Sequence, residues 1–224
     1  MTFKLRRYQA LISGTEPGML EAMVRGLLIH YFFHISNKQI VEVLTETPDT
    51  HKVVNLLTPT VFKGLGSIQL TMTTVFGWTA SPGSYNCSYV EARNPGALIK
   101  IGERTTINNS AVLIAEGAGI QIGARCLIGT EFQVLDTNAH ELELGRRHLP
   151  DSQTKQVMVG DDVFIGSRVT LLKGCCIGNG CVIAAGSVVP PSFKAPPLSI
   201  IAGNPARIVG QVSKATISET TGNS

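Results

Sequence analysis

An aliphatic residue recurs at every sixth position through the second half of the chain, and this spacing restricts the fold more than any other feature. The recurring residues are Val159, Ile165, Leu171, Ile177, Ile183 and Val189. A period of six fits neither the 3.6-residue turn of a helix nor the two-residue alternation of a long strand. It predicts a solenoid with three short flat sides per turn, in which each aliphatic side chain stacks on its equivalent one turn away. Short strands of a β-sandwich are the alternative, and so many consecutive matches disfavour it.

Small residues fill the other inward position of the repeat, and three of them are cysteines. Because Cys126, Cys175 and Cys181 fall on that position, we expect them to fill the core rather than to bind a metal or form disulfides. No CxxC motif occurs, and this cysteine usage suits a reducing cytoplasm. The sequence therefore predicts a cytoplasmic protein without a metal site.

The repeats end in two recognisable motifs, AAGSVV at 184–189 and IIAGNPAR at 200–207. With these motifs, residues 98–209 resemble the hexapeptide-repeat acyltransferases. The segment YVEARNPGALIKIG at 89–102 is similar to the start of the repeats in enzymes that O-acetylate sugars of bacterial surface polysaccharides. The resemblance implies an all-β solenoid, a left-handed parallel β-helix with an N-terminal helical segment and one protruding loop. Its handedness comes from the resemblance alone, since parallel crossovers are right-handed in nearly all other folds.

Three parts follow from where the periodicity begins and ends. We predict an N-terminal helical or irregular segment at 1–52, the β-helix domain at 53–212 and a disordered polar tail at 213–224. Residues 53–84 alternate only in pieces, and we interpret them as irregular first turns of the solenoid. A separate small β-unit is the alternative for that stretch.

The N-terminal segment contains one apolar run with helical features. We predict an amphipathic helix at 17–34, because Pro17 suits a first turn and Glu21 and Arg25 stand four residues apart. Charged residues make the run a poor transmembrane span, so its apolar face is expected to pack on the solenoid or on another subunit. Weak peripheral contact with the inner face of a membrane, aided by basic residues near the N-terminus, is the alternative.

The period disappears between Val134 and Val159, and it resumes in step afterwards. The intervening residues therefore form a loop at 136–156 that is inserted into the coil and does not mark a domain boundary. A long excursion within a compact solenoid usually carries function.

His140 is the candidate catalytic base, because it stands where the repeat stops and the loop begins. An imidazole titrates near neutral pH and can accept the proton of an acceptor group. In the family that the chain resembles, a histidine just before the protruding loop is the general base, and His140 matches it. Asp136 is the predicted partner that orients the imidazole, and Glu141 is the competing candidate.

The remaining site residues are implied by the resemblance, position by position. Asn108 matches an asparagine that faces the acceptor in sugar acetyltransferases. The predicted acetyl-CoA contacts are Phe164 in the place of a frequent tryptophan, Ser167 near the thioester, Ala185 along the pantetheine arm and Arg207 near the phosphates. Pro190 and Pro191 replace the usual Thr-Lys, so Lys194 is the predicted substitute for the missing charge.

Together these features predict transfer of an acetyl group from acetyl-CoA to a sugar hydroxyl of a bacterial capsule, lipopolysaccharide O-antigen or precursor. N-acetylation of a nucleotide-linked amino sugar is the alternative, and an inactive scaffold is the third hypothesis, against which His140 and the C-terminal motifs argue. The resemblance also implies a homotrimer with active sites between subunits. The net charge of +3, without a basic run, gives no indication of a nucleic-acid partner.

Overall fold

The described residues form a parallel β-solenoid of seven coils, each with three short sides. The computed structural model describes residues 33–35, 40–44, 55–84 and 86–213. Their strands, numbered in chain order, form three sheets, which we name A, B and C. Successive strands of one coil lie in sheets A, B and C in turn, and each pairs with its equivalent in the next coil. The fold is the left-handed parallel β-helix that the resemblance implies.

The strand bounds are as follows. Sheet A contains β1 (Phe33–Ile35), β4 (Thr60–Gly64), β7 (Ser88–Ala92), β10 (Val112–Ala115), β13 (Gln133–Leu135), β16 (Thr170–Leu171) and β19 (Val188–Val189). Sheet B contains β2 (Ile40–Leu44), β5 (Ser67–Thr71), β8 (Leu98–Ile101), β11 (Ile120–Ile122), β14 (Val157–Val159), β17 (Cys176–Ile177) and β20 (Lys194–Ala195). Sheet C contains β3 (Asn55–Leu56), β6 (Val75–Phe76), β9 (Thr106–Ile107), β12 (Leu127–Ile128), β15 (Phe164–Ile165), β18 (Val182–Ile183), β21 (Ser199–Gly203) and β22 (Ala206–Gln211).

The six-residue period corresponds to ladders of buried side chains inside the solenoid. In sheet C, Ile165 pairs with Ile128 in the preceding coil and Ile183 in the following one. All three are at most 3% exposed. Each fully buried side chain of this size contributes about 1.5–3 kcal/mol of hydrophobic free energy.

The three cysteines at the small inward position are buried, as predicted. Each thiol lies against backbone carbonyls, and the Sγ of Cys175 donates to the oxygen of Leu172 at 2.7 Å. Burial raises the pKa of Cys175 to about 11, so this thiol stays protonated at neutral pH. These cysteines therefore act as small core side chains.

The solenoid begins earlier in the chain than the sequence analysis placed it. Strands β1 and β2 lie within residues 1–52 and pair in parallel with β4 and β5. Three of the five residues of β2 are β-branched, which favours a strand over the predicted irregular structure. Residues 55–84 supply β3 to β6, which belong to the same three sheets.

Two other N-terminal and C-terminal expectations fall mostly outside the described residues. Residues 17–32 of the predicted helix lie outside the described residues, and its last two positions belong to β1. The predicted tail lies outside from residue 214 onward. Where the structure is described, it holds no helix of the length and apolar character needed to cross a membrane.

Candidate functional site

The loop at 136–156 leaves the solenoid after β13 and returns into β14, so it projects from the edge between sheets A and B. His140 lies near its start and is exposed. Its backbone forms an isolated antiparallel bridge with Pro150. On either side, the amide of Glu141 donates to the oxygen of Leu149 at 3.1 Å, and that of Asp151 donates to the oxygen of Ala139 at 3.3 Å. The two arms of the loop are thus joined beside His140.

A buried ion pair anchors this loop to the next coil. Asp151 and Lys173 are each 8% exposed, and the Nζ of Lys173 donates to the carboxylate of Asp151. The same carboxylate accepts the amides of Asn138 at 2.7 Å and Gln153 at 3.0 Å. Burial raises the pKa of Asp151, but these hydrogen bonds and the charge of Lys173 outweigh it and hold the pKa at about 2. Asp151 is therefore ionised at neutral pH.

A second buried carboxylate holds the residues just before His140. The hydroxyl of Thr137 donates to Glu116 and accepts the amide of Ala139 at 2.9 Å. Ala139 has a φ of +64°, in the left-handed region that residues with a side chain rarely adopt. A residue in this conformation persists only where its surroundings fix it, and here the Thr137 hydroxyl holds its amide.

The two predicted partners of the imidazole are engaged elsewhere. Asp136 is buried, and its carboxylate accepts the amides of Glu116 at 2.7 Å, Gly117 at 3.1 Å and Gly119 at 2.7 Å. It therefore organises the turn at 116–119, between β10 and β11 in the preceding coil, because a buried carboxylate needs several donors. The carboxylate of Glu141 accepts the amide of Ser152 at 3.2 Å, and this contact lowers its pKa. Among the described residues, no hydrogen bond joins either carboxylate to His140.

Three of the predicted ligand-binding residues lie together on another part of the solenoid. A groove of about 200 Å³ runs along sheet C and the edge where sheet C passes into sheet A. Asn108, Phe164 and Ser167 line it, together with Leu127 and two corner glycines. Phe164 and Leu127 are 51% and 55% exposed, so the groove has an apolar wall that is open to solvent.

The corner glycines of this groove are required by the close approach of successive coils. A Cβ on Gly166 would lie 2.5 Å from the amide nitrogen of Ala185 in the next coil. Ala185 therefore continues the same edge and is exposed beside the groove. The Oγ of Ser167 is 3.1 Å from the Oγ of Thr130, which donates to it.

Asn108 contacts the protein on both sides of its amide. Its Nδ2 donates to Ser81 at 3.1 Å, and its Oδ1 accepts the amide of Asn109 at 2.8 Å. Asn109, which the sequence analysis did not select, bonds the backbone of Trp78, Ser81 and Pro82. These two asparagines fix the loop between β6 and β7 at the rim of the groove.

The two predicted phosphate-binding cations lie apart from each other. Arg207 is exposed in β22, the antiparallel strand at the end of sheet C, and one guanidinium nitrogen donates to the oxygen of Ala206 at 2.9 Å. Lys194 is exposed in β20 of sheet B, so it lies on a different face from the groove. The structure does not bring Lys194 to Ser167 and Ala185 within one chain.

Known proteins match both the repeats and the fold. The family described as "Bacterial transferase hexapeptide (six repeats)" matches residues 157–191. The polysialic acid O-acetyltransferase of Neisseria meningitidis is 38% identical over 79 residues, which are 34% of this chain. Residues 157–191 therefore match the hexapeptide repeats of bacterial transferases. The match to the Neisseria relative spans only 35% of the length of that protein.

Two solved structures of acetyltransferases have a similar fold. The crystal structure of the polySia specific acetyltransferase NeuO has a TM-score of 0.57 and 17% identity, and it covers 84% of this chain and 92% of NeuO. The polysialic acid O-acetyltransferase OatWY has a TM-score of 0.54 and 22% identity, covering 84% of this chain and 90% of OatWY. Both agree with the hexapeptide β-helix described above.

In this hexapeptide-repeat protein, the candidate base and the groove occupy different edges of one solenoid. His140 projects where sheet A passes into sheet B, whereas Asn108, Ser167 and Ala185 follow strands of sheet C. Sequence analysis also missed Asp151, Lys173, Glu116 and Thr137, which hold the loop.

Proposed function

We propose that this protein transfers the acetyl group of acetyl-CoA to a sugar hydroxyl of a bacterial surface polysaccharide or its precursor. The observation that carries the proposal is His140, exposed on a loop that buried charges anchor to a hexapeptide β-helix. The 38% identity to a polysialic acid O-acetyltransferase supports a saccharide hydroxyl as the acceptor.

The reaction needs one group that takes a proton while the acceptor attacks. In the proposed step, the acceptor oxygen bonds to the thioester carbonyl carbon as the imidazole of His140 removes the hydroxyl proton. The carbon–sulfur bond then breaks, and the imidazolium returns its proton to the departing sulfur. The products are the acetyl ester and the CoA thiol, and the histidine ends as it began. General-base catalysis of this type contributes about 10²–10⁴-fold to rate.

The groove along sheet C has a lining that suits acetyl-CoA. Phe164 and Leu127 offer apolar surface to a narrow chain such as the pantetheine arm, and the Ser167 hydroxyl offers a polar contact. Arg207 at the end of the same sheet is an exposed cation for phosphate. In this proposal, Lys194 contributes only from a neighbouring subunit, because it lies on sheet B of its own chain.

The separation of His140 from the groove supports a homotrimer with shared sites. A closed ring of three copies places one edge of each solenoid against a different edge of the next. The A–B edge of one subunit would then bring His140 to the groove of its neighbour. Each active site would contain residues of two subunits.

The experiment that tests the proposed function compares a hydroxyl acceptor with an amine acceptor. The purified protein is assayed with acetyl-CoA and either an acidic oligosaccharide that has free hydroxyls or a nucleotide-linked amino sugar. We expect CoA release with the first, accompanied by an alkali-labile acetyl ester on the sugar. Faster transfer to the amine, with an alkali-stable amide as product, would contradict O-acetylation. Failure of the protein to bind acetyl-CoA in calorimetry would contradict transfer altogether.

A further inference from the structure

We propose that Lys173 is a positioning residue for His140, acting through Asp151 and the backbone of residues 138–139. The inference rests on the proposed function, and it goes beyond that function by assigning a role to a buried ion pair that the chemistry does not use. Lys173 lies in the coil after the loop and 33 positions beyond His140 in the numbering, so it reaches the histidine only through other residues.

The first contact in this chain is the ion pair itself. The Nζ of Lys173 donates to Oδ2 of Asp151 and to the backbone oxygen of Gln153, the latter at 2.8 Å. Both side chains are nearly inaccessible to solvent. A buried carboxylate without its cation is strongly unfavourable, so Lys173 determines whether Asp151 stays ionised and in place.

The second contact joins Asp151 to the segment that carries His140. Oδ2 of Asp151 accepts the amide of Asn138 at 2.7 Å, and the amide of Asp151 donates to the oxygen of Ala139 at 3.3 Å. These two bonds span the residue whose φ is +64°. An Ala in the left-handed region costs roughly 1–2 kcal/mol, so the backbone needs such bonds to keep this conformation.

The arrangement therefore fixes where the backbone presents the histidine. Without the Asp151 bonds, only the Thr137 hydroxyl holds Ala139, whose φ can then relax and redirect the chain one residue before His140. A misplacement of about 1 Å can cost on the order of 10²-fold in rate. The groove on sheet C contains neither residue of the ion pair, so coenzyme binding should not depend on it.

The test is a double-mutant cycle between Lys173→Met and His140→Ala. Lys173→Met should lower kcat by roughly 10–100-fold and leave KM for acetyl-CoA within about twofold. In the His140→Ala background, the same substitution should have little further effect, because residues that act as a unit are non-additive. An equal loss of kcat in both backgrounds would overturn the proposal, since a general structural role does not depend on His140.

Two further variants separate positioning from folding. Lys173→Met with Asp151→Leu removes both buried charges, which usually restores stability. We expect this double variant to melt near the wild-type temperature and still to lack the kcat of the wild type. Full recovery of kcat with stability would overturn the proposal. Lys155→Met is the matched control, because Lys155 is an exposed lysine at the base of the same loop, and its kcat should be unchanged.

Hydrogen exchange provides a readout that does not depend on activity. The amides of Asn138 and Gln153, which donate to the Asp151 carboxylate, should exchange slowly in the wild type and fast in Lys173→Met, with Lys155→Met resembling the wild type. Slow exchange that persists in Lys173→Met would overturn the proposal even if the protein transfers no acetyl group. Absence of acetyl transfer by the wild type, with the exchange pattern as expected, would refute the proposed function and leave the positioning role supported.

Discussion

The coils at 157–212 and the loop at 136–156 are stabilised by different interactions. In the coils, identical aliphatic positions stack, and two-residue strands such as β15 are enough because each pairs with strands on both sides. In the loop, most side chains are exposed and no aliphatic period exists, so buried charges hold the backbone. The comparison teaches that repetition supplies the rigid frame, while polar contacts with the neighbouring coils hold the loop that carries His140.

The largest effect is expected for the histidine of the loop. His140→Ala should lower turnover with a hydroxyl acceptor by roughly 10²–10⁴-fold, because the acceptor proton then has no base. The affinity for acetyl-CoA, measured by calorimetry, should barely change, since the groove lies on another edge. Arg207→Ala is the converse control and should weaken coenzyme binding while most turnover returns at saturation. A variant at His140 that kept near-normal turnover would show that the loop does not carry the chemistry.

Removing a buried side chain from the coils should destabilise the fold far more than removing an exposed side chain from the loop. Ile122 in β11 is 1% exposed and pairs with Ile101 and Val159, so Ile122→Ala should destabilise the fold by about 2–5 kcal/mol. Leu144→Ala is the matched change in the loop, where the side chain is 86% exposed, and it should alter stability by less than about 0.5 kcal/mol. Denaturant unfolding measures both. Similar losses for the two variants would remove the contrast between coil and loop.

The buried ion pair beneath the loop should make the free energy of unfolding of the protein fall at low pH. The pKa of Asp151 is about 2, below its ordinary value of 3.8, so its contribution is present above pH 4 and is lost as the pH falls towards 2. Wild-type protein should therefore lose about 1–2 kcal/mol more over that interval than Asp151→Asn, which has no carboxylate to titrate. The measurement is the free energy of unfolding at several pH values. Parallel curves for the two proteins would mean that Asp151 is not held ionised by Lys173.

An exposed ion pair on the coils should matter least. Arg125 donates to both carboxylate oxygens of Asp162 at 2.7 Å, yet both side chains are largely exposed. Arg125→Ala should cost less than about 1 kcal/mol, and the difference should shrink in 1 M salt. A cost equal to that of disrupting Lys173 and Asp151 would show that burial is not what distinguishes the two pairs.

The frame was predictable from sequence because its constraint is local and repeated. Each inward aliphatic residue is six positions from the next, so Val159 to Val189 identify the coils without knowledge of their partners. The same reasoning placed the loop, since the period stops and resumes in step. The first coil was missed because β1 and β2 contain no hexapeptide period, although they pair in register with β4 and β5.

The contacts of the candidate site were less predictable, because they join residues that only the coiling brings together. Asp136 is four positions from His140, which suggested a partner, but its carboxylate reaches amides 17 to 20 positions earlier in the chain. Asp151 and Lys173 are 22 positions apart, and no local pattern links them. Lys194 lies only four positions after Pro190, where the family has Thr-Lys in the sequence. The chain turns from sheet A to sheet B between these two positions, so Lys194 lies in β20, away from the groove.

The central claim is that the loop of one subunit and the groove of another together form the active site. The most direct measurement is complementation in mixed assemblies of two inactive variants, His140→Ala and Phe164→Glu, that carry different tags and are purified through both. In a closed trimer that contains both variants, about one site in three joins an intact His140 to an intact groove. Mixed assemblies should therefore recover roughly a third of wild-type turnover per subunit, although each variant alone is inactive. Mixed trimers that form and remain inactive would contradict the shared site.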